Sequence, residues 1–134
     1  MDVDGVTLLL SSGAVLLGVA AFLGFAQART ERGSAAESKW RVVHSGGTAG
    51  GVQLLALAAV WGRLAGHSSW ASVVAGCIVL STWLFFIGPL LKALERARGG
   101  NFLLWAGAAF SVPGYLGLIG LGLMALGLTA SGSS

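Results

Sequence analysis

The chain has 134 residues, of which 55% are hydrophobic and only 10% are charged, and its mean hydropathy is +0.83. This composition excludes an ordinary soluble domain. The formal net charge of +3 does not indicate a nucleic-acid partner, because the basic residues lie in short segments between apolar runs. The single cysteine, Cys77, excludes an internal disulfide and a Cys-rich zinc site.

Four apolar runs follow one another along the chain, at about residues 5–28, 45–66, 69–91 and 102–128. Each is long enough to cross a bilayer core, which needs roughly 20 apolar residues per helix. Together they leave no room for a separate soluble domain. We therefore expect one all-α integral membrane domain over residues 1–134, folded as a four-transmembrane-helix bundle.

The loops between the runs carry unequal positive charge. Seven basic residues lie in the first and third loops, and only two in the loop between them: Arg29, Arg32, Lys39, Arg41, Lys92, Arg96 and Arg98 against Arg63 and His67. By the positive-inside rule the first and third loops are cytoplasmic. The N and C termini are then on the non-cytoplasmic side.

Glycines occupy 22 positions and recur in every span. Pairs four residues apart, such as Gly46 with Gly50, let helix backbones approach closely, since packing drives helix association in lipid. We expect a compact bundle that forms a homo-oligomer.

His44 stands at the start of the second run and is the strongest candidate for a functional residue. Gly47, Thr48 and Gly51 share its helix face, so the face beside the imidazole is expected to be open and shallow. Such a face accepts either a neighbouring helix or a large flat ligand such as a porphyrin. Lys39 and Arg41 would then pair with its propionates. A solvent-exposed interfacial histidine is the alternative.

A bis-histidine site within one protomer is excluded by distance. His44 and His67 are separated by 23 residues, about 34 Å along a helix, and so lie at opposite membrane faces. An iron bound to His44 would have a sixth position that is open or filled from another protomer. An open position suits the binding or activation of a small molecule.

The segment His44-Ser45-Gly46, followed by Gly51 and preceded by Trp40, resembles the second span of the styrene oxide isomerase family of small bacterial membrane proteins. The resemblance implies that His44 is the axial iron ligand of haem b, held between protomers of a trimer in the bacterial inner (cytoplasmic) membrane. Trp40, Gly47 and Gly51 would border the cofactor. Ferric haem would act as a Lewis acid that isomerises a small lipophilic epoxide from the bilayer to an aldehyde.

Three positions depart from the family pattern. Where members that isomerise aryl epoxides carry an Asn, an Asp and a Tyr that orient the substrate, this chain has Gly50, Ser81 and Pro89. The remaining candidates for a catalytic role are Tyr115, Thr48 and Asn101. The expected substrate pocket is lined by apolar side chains and one hydroxyl of the third span, namely Trp83, Phe85, Phe86 and Ser81.

The leading hypothesis is therefore a haem b-dependent membrane isomerase. Two alternatives stay open: a membrane haem-binding, sensor or accessory subunit without catalysis, and a structural or transport subunit without a cofactor. An ion-coupled transporter is disfavoured, because no span carries a charge near its middle.

Overall fold

The computed structural model describes residues 4–65, 68–95 and 97–127. These residues form four α-helices: α1 Gly5–Ala28, α2 Ala35–Ala65, α3 Ala71–Ala93 and α4 Ala97–Ala125. Each is long and apolar enough to cross a membrane, counting α4 from Gly99. The predicted all-α architecture with four membrane-length helices is confirmed, whereas the side on which the termini lie stays a prediction. Residues 1–3, Gly66, His67, Arg96 and the segment from Leu128 lie outside the described residues.

Helix α2 begins well before the second apolar run. Ser34 Oγ accepts a hydrogen bond from the Glu37 N–H at 3.0 Å, and Glu37 Oε2 accepts one from the Gly33 N–H at 2.7 Å. This reciprocal cap satisfies amides that a helix start leaves without partners. The 31 residues of α2 extend about 46 Å, beyond the roughly 30 Å of a bilayer core. His44 consequently lies in the third turn of α2.

At its N-terminus, α1 is capped by Asp4. The Asp4 carboxylate accepts a hydrogen bond from the Thr7 N–H at 2.6 Å. This backbone hydrogen bond holds the pKa of Asp4 below its ordinary value, because it stabilises the charged form. The chain therefore enters its first helix with a negative charge at the positive end of the helix dipole.

The helices pack most extensively as two hairpins, α1 with α2 and α3 with α4, and α2 and α3 join the hairpins. Leu9 and Leu16 of α1, Leu54 of α2 and Ile78 of α3 are fully buried where these helices meet. Large apolar side chains also cover the outside of the bundle, including Phe22, Phe25, Phe102 and Trp105. An outer surface of this kind suits contact with lipid and not with water.

Candidate functional site

The imidazole of His44 is held by helix α1. Its Nδ1 lies 2.8 Å from the carbonyl oxygen of Ala20. A carbonyl oxygen can only accept, so Nδ1 carries the proton and donates it to Ala20. In the neutral ring Nε2 then bears the lone pair, and it is the nitrogen available to a metal.

Small residues of α1 make room for this ring. A Cβ added at Gly24 would lie 3.1 Å from both Cε1 and Nδ1 of His44. Ala20 and Gly24 are one turn apart on α1. Ala20 supplies the carbonyl oxygen, and Gly24 leaves space for the ring. Neither residue was predicted to belong to the site, although two small residues four apart on α1 indicate close helix packing.

A polar cavity of about 370 Å³ lies beside the imidazole, between the end of α1 and the start of α2. Its lining comes from these two helices and their loop: Gly24, Gln27, Ala28, Thr30, Arg32, Glu37 and His44. Glu37 is bound by Arg41 as well as by the Gly33 amide. Arg32 is the basic side chain that the fold brings into this lining, and it is not among the residues predicted to bind a cofactor.

The expectation of an open face below His44 is corrected by the structure. Gly47 is buried, and a Cβ there would lie 2.7 Å from the Phe86 ring and 2.8 Å from Ala20 Cβ. Gly51 is buried against Leu17 and the backbone of Gly13. These glycines let α2 pack against α1 and α3 of the same chain, so they do not form an open surface. Their predicted contact with a cofactor stays a prediction.

The three neighbours of His44 that were predicted to contact a cofactor have different surroundings. Arg41 forms an ion pair with Glu37, one turn earlier on α2. Trp40 is half-buried and packs against the hydrophobic core. Lys39 lines a second cavity, between α2, α3 and α4, and not the cavity beside His44. Five residues along a helix rotate a side chain by about 140°, which accounts for the separation of Lys39 from His44.

The three candidates for a catalytic role do not meet at His44. The Thr48 hydroxyl donates a hydrogen bond to the backbone carbonyl of His44 at 2.8 Å. In this arrangement its proton is not available to a substrate. Tyr115 accepts a hydrogen bond from Gln53 Nε2, which joins α4 to α2. Gln53 follows His44 by nine residues, about 13.5 Å along α2 and on its opposite side. Asn101 is exposed on the second turn of α4.

The predicted pocket residues of α3 divide between its inner and outer faces. Trp83 packs edge-on against Phe86, with ring centroids 6.0 Å apart, and Phe86 is buried over Gly47. Phe85 is 42% exposed on the outside. Ser81 is buried, and its hydroxyl donates to the Ile78 carbonyl at 2.9 Å. Phe86 is thus the member of the set that reaches the surroundings of His44, through Gly47 and Ala20.

Within the described residues there is no cluster of three or more His, Cys, Asp or Glu side chains that would hold a metal ion. His44 offers one imidazole nitrogen to a metal.

The family model described as styrene oxide isomerase matches residues 6–132. The chain belongs to the styrene oxide isomerase family. The match covers α1 from its second residue and all of α2, α3 and α4, so the resemblance first seen in the segment around His44 is confirmed over nearly the whole sequence. Searches of curated proteins and of solved structures find no significant match.

Proposed function

We propose that this membrane protein binds haem b through His44 Nε2 and isomerises a small lipophilic epoxide to a carbonyl compound. The observation that carries the proposal is the hydrogen bond from His44 Nδ1 to the Ala20 carbonyl. It leaves Nε2 as the free nitrogen, in a chain that belongs to the styrene oxide isomerase family.

The residues around His44 fit a haem group in three respects. The imidazole is oriented by a backbone carbonyl, the second partner that histidine ligands ordinarily have. Gly24 leaves space at the ring edge. Arg32 lies in the lining of the adjoining cavity, where a guanidinium is suited to pair with a propionate.

When bound, haem b would supply a ferric Lewis acid that polarises the oxygen of an epoxide. The proposed reaction is balanced within the substrate: a carbon–oxygen bond breaks, and a hydride moves from the carbon that keeps the oxygen to the carbon that lost it. No co-substrate or reductant is consumed. The protein has to hold the imidazole, keep the site dry and admit a lipophilic molecule from the bilayer.

A cavity of about 370 Å³ open at the surface supports a site completed by a second protomer, and we propose a homotrimer with haem between protomers. The proposed orientation puts the His44 end at the cytoplasmic face of a bacterial inner membrane, with both termini on the other side. The basic residues Arg29, Arg32 and Lys92 lie at or near this end of the helices and support that orientation.

A haem-binding protein without catalysis is the second candidate. The buried hydroxyl of Ser81 favours it, because this side chain stands where the family pattern has an acidic group and its proton is bound to Ile78. Both functions need the same ligand, so the experiment has two stages.

The first stage is a hemin titration of the purified protein in detergent, followed by its Soret absorption. Wild type is expected to bind, and His44→Ala to lose binding by about a hundredfold, while the control His67→Ala binds like wild type. Equal binding by His44→Ala and wild type would disprove the ligand assignment. Absence of binding to wild type would disprove both haem functions.

The second stage incubates the haem-loaded protein with aryl and alkyl epoxides in the ferric and ferrous states. Aldehyde formation that disappears in His44→Ala supports the isomerase. Haem binding without turnover of any epoxide in either state would instead establish the binding function.

A further inference from the structure

A second cavity lies between α2, α3 and α4 at the same end of the bundle as His44. It measures about 430 Å³ and is lined by Ser38, Lys39, Val42, Pro89, Lys92 and Leu104. We call these residues the lysine cleft. Three of them are apolar, and the other three offer two ammonium groups and a hydroxyl, so the cleft is amphipathic.

The two lysines come from different helices and meet no acidic side chain in the described lining. Glu37, two residues before Lys39, binds Arg41 and the Gly33 amide. Glu95, three residues after Lys92, lies exposed in the turn that follows α3 and is not part of the lining. The lining of the cleft therefore carries a net positive charge next to apolar side chains.

Lys92 is held in place by the packing of α3 on α4. A Cβ added at Gly100 would lie 2.8 Å from Lys92 Cγ, so the aliphatic stem of the lysine lies directly on the α4 backbone. Only a glycine at position 100 permits this contact. The stem buries its methylene groups while the ammonium remains available, the usual behaviour of lysine at an interface.

An apolar groove continues from the cleft along the outside of α4. Leu104 lines both the cleft and this groove, which measures about 250 Å³ and is completed by Trp105 and Ala108. Trp105 is 79% exposed. A cationic head site that adjoins a shallow apolar groove beside an exposed tryptophan complements an anionic amphiphile at the membrane interface.

We propose that the lysine cleft binds an anionic phospholipid, with the phosphate between Lys39 and Lys92 and one acyl chain along Leu104, Trp105 and Ala108. Ser38 supplies a hydroxyl donor to the same phosphate. The site is separate from the His44 cavity, because their linings share no residue. The proposal does not depend on haem binding or on catalysis.

The experiment uses the full chain in detergent micelles and follows tryptophan fluorescence. Phosphatidylglycerol with bromine on its acyl chains is added, and phosphatidylcholine with the same chains serves as the neutral lipid. Bromine quenches a tryptophan in contact with the chain. The variants are Lys39→Gln/Lys92→Gln, Trp105→Phe, and the control Arg29→Gln/Arg63→Gln, which removes two positive charges from outside the cleft.

We expect brominated phosphatidylglycerol to quench the tryptophan fluorescence of the wild type at about tenfold lower concentration than brominated phosphatidylcholine does. This preference is lost in Lys39→Gln/Lys92→Gln and kept in Arg29→Gln/Arg63→Gln. Trp105→Phe removes most of the quenched signal. Equal quenching by the two lipids, or a preference that survives in Lys39→Gln/Lys92→Gln, would overturn the proposal.

Two other occupants give different results. If haem propionates occupied the cleft, prior loading with hemin would abolish the lipid preference. If a second copy of the chain covered it, Lys39→Gln/Lys92→Gln would change the oligomer mass without any lipid preference in wild type. Either result overturns the proposal.

Discussion

The α1–α2 and α3–α4 hairpins are closed by the same kind of contact at different heights. In α1–α2, Cβ atoms added at Gly13 and Gly51 would each lie 3.0 Å from the other residue's carbonyl oxygen. In α3–α4, a Cβ at Gly100 would lie 2.6 Å from the Gly88 carbonyl oxygen. Both are backbone contacts that only small residues permit.

The position of this backbone contact along the helices decides whether each hairpin is open or closed at the end of the bundle where His44 lies. Gly13 and Gly51 lie near the middle of α1 and α2, so these helices leave a cavity between them at that end. Gly88 and Gly100 lie near the end of α3 and the start of α4, so that pair is closed there. The open hairpin has an oriented imidazole in the gap, whereas the closed hairpin binds a lysine stem against its backbone.

The backbone contact between Gly88 and Gly100, which closes the α3–α4 hairpin, predicts the largest effect on stability. Gly100→Ala puts a methyl group against the backbone of Gly88, and because backbone cannot rotate away, we expect the free energy of unfolding to fall by about 2–3 kcal/mol. Denaturation in mixed micelles with increasing SDS measures the change. Gly76→Ala is the control, since nothing lies within 4 Å of a Cβ there. A loss as small as that of the control would show that the helices separate easily.

The open hairpin predicts a loss of ligand binding with little loss of stability. Gly24→Ala places a methyl group 3.1 Å from Nδ1 and Cε1 of His44, so the ring has to shift by a few tenths of an ångström, which disturbs its hydrogen bond to the Ala20 carbonyl. We expect hemin affinity to fall about tenfold. Hemin titration by Soret absorption measures it, with Gly18→Ala as control because a Cβ there has no neighbour within 4 Å. Unchanged affinity in Gly24→Ala would refute the role of α1 in orienting the ligand.

The hydrogen bond between Gln53 and Tyr115 joins the two hairpins and predicts a smaller effect. Tyr115→Phe removes the acceptor, and we expect a loss of about 1 kcal/mol, the usual size for an interhelical hydrogen bond in a bilayer. A double-mutant cycle with Gln53→Leu isolates the pair. Additive losses in the double variant would mean that the two side chains do not interact.

The turn between α3 and α4 predicts the smallest effect, with the opposite sign. Glu95 has a φ of 64°, in the left-handed region that costs a side chain about 1 kcal/mol. Glu95→Gly is therefore expected to stabilise the chain by about 0.5 kcal/mol after the entropy of glycine is counted. Glu31→Gly, in the loop between α1 and α2, is the control. Destabilisation by Glu95→Gly would indicate a contact of the carboxylate.

The sequence by itself determined the four helices, because apolar runs of this length have few other stable structures in lipid. It also singled out His44, through a motif that resembles the styrene oxide isomerase family. It did not show that helix α2 begins at Ala35, before the second apolar run, since that run was defined by hydropathy alone. The pattern Ser34-Ala35-Ala36-Glu37, which caps α2, can be seen in the sequence. It lies before the apolar run, so hydropathy does not reveal it.

Only the tertiary structure decided how the helices are rotated and where they touch. The partner of His44 is a backbone carbonyl 24 residues earlier in the chain, and any residue type presents such a carbonyl. Whether Gly47 faces a ligand or Phe86, and whether Lys39 faces the imidazole or Lys92, depends on the rotation of α2 about its axis. That rotation results from the packing of all four helices together, which no local pattern of residues specifies.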